Sequence, residues 1–326
     1  MIQINLFTSS GKESRLPITK AALNEFANIK DANKKDIELY IYHNSEQEPL
    51  WQSIAETIVE KGISVVLASM PTDTYIDKVR VAHKSTAEYC CKWDDDVFVN
   101  RHVWDYMIEN INILENPEVS MLTPVLSNGM PSVDMFIEDF LTEEEAQQAH
   151  SIFIKDNIDP TIFGCNYEIL YNAIANMDTW DGRKYWELVE SIDPTANRTG
   201  LPWFYTIVKG IHPARFSYDF NMFLANHAIN NVDKLLEKRD FYLDKDFPTP
   251  YLCDNLFFSK TEFYKKSQEL FFDHWDEGQV NMLSQKQGQT PIYVRNCYGI
   301  HMAYGCTKRQ AEIETYYLDN LFSKLI

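Results

Sequence analysis

Through the first 125 or so residues, apolar and polar positions switch between strand-like and helix-like patterning. Ile2–Thr8 reads as a strand, and Pro17–Ile29 carries Ile18, Ala21, Ala22 and Phe26 at helical spacing. Ile37–His43 is β-branched and aromatic, a second strand. Pro49–Lys61 predicts a helix closed by Gly62, and Ile63–Ala68 a buried strand. Asp73–Glu88 reads as helix, Tyr89–Trp93 as a strand running into Asp94-Asp95-Asp96, and Val119–Pro124 as another short strand. Strand and helix in alternation predict an α/β fold, a mostly parallel sheet flanked by helices.

Beyond this core the character changes. Residues 127–250 are richer in helix signals and hold an acidic cluster at Glu138–Glu145. No Gly/Ser-rich or Pro-rich linker borders them, so they read as a largely helical subdomain inserted into the core of residues 1–126. Residues 251–326 return to that core: a strand at Tyr251–Ser259, a helix near Asp276–Gln287, a strand at Pro291–Asn296 and a last helix at Lys308–Lys324.

Charge and composition narrow the function. The 326 residues hold 30 Lys and Arg against 48 Asp and Glu, a net charge of −18, which argues against a nucleic-acid acceptor. An acidic protein still binds a nucleotide when a metal ion supplies positive charge. Hydrophobic residues at 45% are ample for a core. No run approaches the roughly 18 apolar residues of a membrane span. The N-terminus lacks the basic region of a signal peptide, and the six cysteines form no CxxC or framework spacing. A cytoplasmic protein with reduced thiols is expected, which makes the Asn197-Arg198-Thr199 sequon a chance match.

Three consecutive carboxylates between Trp93 and Val97 repel one another near a core unless a cation neutralises them. Such oxygens suit magnesium or manganese, and ligands collect at the carboxyl ends of parallel strands. A solvated acidic turn is the plainer alternative. The run from Asp77 through Asp96 to Phe98 resembles the core of GT-A-fold glycosyltransferases, in which a basic helix precedes a strand ending in a DxD motif. The resemblance implies a Rossmann-type sheet and a nucleotide-diphosphate sugar donor of UDP or GDP type. It further implies Asp96 on a divalent metal, Asp94 at the ribose or the metal through water, and Asp95 nearer the sugar.

Two later segments extend the resemblance. Asp276-Glu277 opens a helix, as does the acidic pair of inverting members, in which a carboxylate deprotonates a glycan or other hydroxyl acceptor. Asp276 and Asn281 also match positions of a retaining motif whose inner acid is Gly278 here, and first-turn acids also serve as helix capping. His301, followed by Gly305 and Lys308, matches a C-terminal pattern that implies His301 as a second metal ligand and Lys308 as a diphosphate contact. A carboxylate–imidazole set leans to Mn2+ over Mg2+.

The N-terminal loop points elsewhere as well. Thr8 to Lys20, with Gly11, Arg15-Leu16-Pro17 and Thr19-Lys20, resembles sugar nucleotidylyltransferases, with fewer glycines than their phosphate loop. Its simpler role is to cradle the donor's base through Thr8, Ser9 and Arg15, or to start a helix at Pro17. Arg80 and Lys84, four apart on one helical face, are candidates for donor phosphates or partners of Asp77 and Glu88. The sequence therefore predicts a glycosyltransferase, with sugar-1-phosphate nucleotidyl transfer and non-catalytic carbohydrate binding as alternatives.

Overall fold

The computed structural model describes residues 1–8, 15–70, 85–127, 136–137, 140–155, 218–231, 242–244, 255–270, 280, 283–284, 286–302 and 310–324. These residues form an α/β fold around a nine-stranded sheet. The strands are β1 (Ile2–Phe7), β2 (Ile37–Asn44), β3 (Ser64–Met70), β4 (Tyr89–Asp94), β5 (Val97–Val99), β6 (Val119–Leu126), β7 (Tyr242–Asp244), β8 (Leu256–Lys260) and β9 (Thr290–His301). Their order is β3-β2-β1-β4-β8-β6-β9-β5, with β7 also on β9. Strands β1, β2, β3, β4, β6 and β9 run one way and β5, β7 and β8 the other, so the sheet is mostly parallel.

The order carries a functional consequence. The chain steps outward from β1 to β2 and β3, then returns to the opposite side of β1 as β4. The carboxyl ends of β1 and β4 thus flank the point where the winding direction reverses. Crevices in open α/β sheets form at such a point because adjacent connections leave on opposite faces.

Helix α1 (Leu16–Ala27) has Pro17 in its first turn, where the missing N–H costs nothing, and buries Ile18, Ala21, Ala22 and Phe26. With α2 taken as Asp31–Lys34, helix α3 (Glu48–Glu60) ends at Gly62, whose φ of 91° only glycine adopts cheaply. The Gly62 and Ile63 amides there close onto the carbonyls of Val59 and Ile58. Helix α4 (Arg101–Glu109), which the sequence reading passed over, is capped by Asn100, whose side chain accepts from the amides of His102 and Val103. Trp104 of α4 meets Phe26, Trp93 and Phe258 edge to face, which knits α1, β4, α4 and β8 into one core.

Within 127–250, α5 (Glu143–Lys155) and α6 (Tyr218–Asn230) pack on each other, and α6 packs on α8 (Gln310–Asn320). Ala149, Phe220 and Leu224 belong to the same core as the sheet. Helix α7 (Thr261–Leu270) follows β8 directly. Ser85–Glu88 is not helical, although the sequence predicts helix through Glu88. The Glu88 carbonyl instead accepts from the Thr261 amide, which draws the segment toward the end of β8. The rest of that predicted helix lies outside the described residues, as does most of the one near Asp276–Gln287. Among the described residues no helix is long and apolar enough to cross a membrane.

Candidate active site

The Asp94–Asp96 turn is fixed by four parts of the chain. The Asp94 amide donates to the Asn255 carbonyl ahead of β8, and the Asp95 amide to the Phe7 carbonyl at the end of β1. The Thr19 hydroxyl of α1 reaches the Asp95 carbonyl at 2.9 Å, and the Met302 amide reaches that of Asp96. Across the turn, the Trp93 indole N–H donates 3.0 Å to the Val97 carbonyl. Backbone groups that would otherwise be orphaned are thereby paired, so the turn has little freedom to relax toward water.

The side chains divide by partner. Asp94 Oδ2 accepts from the buried Lys92 ammonium at 3.0 Å and more distantly from the Asn255 amide at 3.4 Å. Arg15 Nη1 lies 2.9 Å from Asp96 Oδ2 and 3.3 Å from Asp95 Oδ1. On the other side of Asp96, His301 Nε2 stands 3.7 Å from Oδ1. Strand pairing sets this approach, because β9 runs antiparallel to β5 with His301 opposite Val97. Gly299 allows it: a Cβ there would lie 2.6 Å from Val99 Cγ1 and 2.7 Å from Leu126 Cδ2, closer than packed atoms come.

Burial makes the arrangement costly. Asp96 is only 4% exposed and His301 1%. Desolvation pushes the Asp96 carboxyl above its ordinary range. Arg15 pulls against that shift, while the Asp94 charge adds to it. Burial alone would lower the Arg15 pKa, yet Asp96, Asp95 and Glu314 outweigh it and hold the guanidinium more firmly charged. Among the described residues, Oδ1 of Asp96 accepts no hydrogen bond. A buried carboxylate oxygen facing an imidazole is a donor pair that a divalent metal ion can take. Among the described residues no three His, Cys, Asp or Glu side chains form a complete metal cage. Cations of this kind usually complete their shell with water and substrate phosphates, so the residues present fit such an ion.

Of the residues picked out from the sequence, the structure brings together Arg15, Asp94, Asp95, Asp96 and His301. Thr8 sits at the end of β1, its hydroxyl donated to the Tyr42 carbonyl at 2.9 Å. Ser9, Arg80, Lys84, Asp276, Glu277 and Lys308 lie outside the described residues. The sequence reading missed Lys92, Thr19, Asn255 and Glu314. For Lys92 there was a signal, a lone cation inside the apolar strand Tyr89–Trp93. Thr19 entered only as part of the nucleotidylyltransferase-like loop, and Asn255 and Glu314 act across the fold and left none.

Neither a protein-family model nor a curated protein sequence matches the chain. Among solved structures it is similar to the mannosyltransferase PcManGT of Pyrobaculum calidifontis in complex with GDP-Man and Mn2+, at 10% identity over 71% of this chain and 86% of that one, TM-score 0.33. It is similar to S. aureus TarS 1-349 in complex with UDP-GlcNAc at 10% identity over 88% and 92%, TM-score 0.32. A cytidylyltransferase of Leptospira borgpetersenii serovar Hardjo-bovis is 16% identical over 40% of this chain, TM-score 0.28. The chain spans 56% of that cytidylyltransferase. Likenesses this distant leave the function to the chemistry of the site.

Proposed function

We propose that the chain is a metal-dependent glycosyltransferase of GT-A type that moves a sugar from a UDP- or GDP-type donor to an acceptor hydroxyl. The observation that carries this reading is the Asp94–Asp96 turn at the reversal point of the sheet, with His301 Nε2 3.7 Å from the buried Asp96 carboxylate. Asp96 and His301 would hold a divalent cation, Mn2+ in preference to Mg2+. When bound, that cation would act as a Lewis acid on the leaving diphosphate.

The chain's own groups supply the rest. Lys92 fixes the Asp94 carboxylate, and Arg15 fixes those of Asp95 and Asp96, so the acidic groups are oriented before the donor arrives. We assign Lys308, Arg80 and Lys84 to the donor phosphates, and Thr8 and Ser9 to the base. In the transfer, the bond from the sugar's anomeric carbon to the diphosphate oxygen breaks and a bond to the acceptor oxygen forms. The acceptor proton passes to Glu277 or Asp276 if configuration is inverted.

The test is a thermal-shift screen of UDP- and GDP-sugars with and without Mn2+. The expected result is a rise in Tm that needs both the nucleotide sugar and the metal. If no nucleotide sugar shifts Tm with Mn2+ present, the reading is wrong. Turnover that requires pyrophosphate would replace it with nucleotidyl transfer.

A further inference from the structure

Arg15 pairs with the second and third aspartates of the turn, while Lys92 takes the first. The Arg15 guanidinium is largely buried and bridges Asp95 and Asp96 through Nη1, at 3.3 and 2.9 Å. It takes Oδ2 of Asp96 and leaves Oδ1 on the side of His301. Glu314 of α8 stands near enough to act electrostatically on the same guanidinium.

From this geometry we infer that Arg15 is a positioning residue and resident counter-ion that holds the Asp95–Asp96 pair and weakens the site's hold on a free divalent cation. The inference rests on the metal-dependent reading above and deepens it. Its physical basis is simple. A guanidinium on one oxygen of Asp96 draws charge from the other, and its own positive charge repels an incoming ion a few ångströms away. The same bond locks the carboxylate plane, so Oδ1 keeps its aim toward His301 whether or not the ion is present.

The experiment is a titration of the full-length chain with Mn2+ alone, reading free Mn2+ by electron paramagnetic resonance. Arg15→Gln is expected to bind Mn2+ about tenfold or more tighter than wild type, the order that removal of one nearby charge implies at an effective dielectric of about 20. Arg15→Lys keeps the charge and should stay close to wild type, whereas a purely structural fork would be lost in both variants. Asp96→Asn should bind none.

Equal, measurable affinity in wild type and Arg15→Gln overturns the role of Arg15 and leaves the metal-dependent reading standing. Weaker binding by Arg15→Gln does the same. If both chains leave all Mn2+ free, the metal-dependent reading falls as well. Should Arg15→Gln fail to fold, Arg15→Met decides: a folded chain without the charge at that position should bind Mn2+ about tenfold or more tighter, and equal or weaker affinity overturns the inference.

Discussion

His301 and Asp96 lie 205 residues apart in the chain, yet Nε2 of one stands 3.7 Å from Oδ1 of the other. The antiparallel pairing of β9 with β5 sets His301 against Val97, the residue directly after Asp96. The Met302 amide then closes onto the Asp96 carbonyl and locks the register. The imidazole is held by backbone pairing, which leaves it little room to drift from the carboxylate.

Asp96→Asn removes the buried charge while keeping the side chain's shape. The variant should fold, and its Tm should no longer respond to Mn2+ or to Mn2+ with a nucleotide sugar. For a ligand at a hundred times its Kd the lost stabilisation is about 2.7 kcal/mol, readable by scanning calorimetry.

Gly299→Ala tests the close approach of β9. The added methyl would meet Val99 and Leu126 well inside contact distance, and Phe98 O lies 3.1 Å away. Overpacking of this kind costs roughly 1–3 kcal/mol, measured as a lower urea midpoint. Mn2+ affinity should fall too, because His301 lies two residues along the same displaced strand. Wild-type stability and affinity together would show that β9 absorbs the methyl without shifting.

The free thiols of Cys90, Cys91 and Cys297 are buried. Burial pushes the Cys90 thiol up to about 11 and the other two well above their ordinary value. Hence almost none of these thiolates exists at neutral pH, and reagents cannot reach them. Alkylation followed by peptide mapping should label these three only once the chain is unfolded. Rapid labelling of any of them in the native state contradicts the packing described.

Glu115 gives a pH signature far from the aspartate turn. The Lys260 ammonium, and then the Tyr89 hydroxyl, hold its carboxyl below the ordinary range. A folded-state pKa below the unfolded one adds stability above the unfolded value, and that increment is lost as pH falls through the folded value. The Tm difference between wild type and Glu115→Gln should therefore be small but present at neutral pH and shrink on acidification. A difference that grows toward acid would reverse the assignment.

Much of the architecture was written in local patterning. The helical spacing at Ile18, Ala21, Ala22 and Phe26 matches the buried side of α1, and Gly62 closes α3 where the sequence placed it. The strand into Asp94 was legible because apolar residues, interrupted by Lys92 alone, run to the first aspartate. Helix α4 was passed over although Val103, Trp104, Met107 and Ile108 stand at helical spacing behind its cap Asn100.

By itself the sequence determined which residue types could do chemistry, and that three carboxylates end a buried strand, because hydrophobic period and charge are local properties. Only the tertiary structure decided their distant partners. That Arg15 bridges Asp95 and Asp96 and that His301 reaches Asp96 follow from how the strands and helices are ordered in space, whereas Lys92 and Asp94 share a face simply by standing two apart on β4. The first two are settled by how distant segments bury their apolar faces together, and no window of neighbouring residues encodes such pairings.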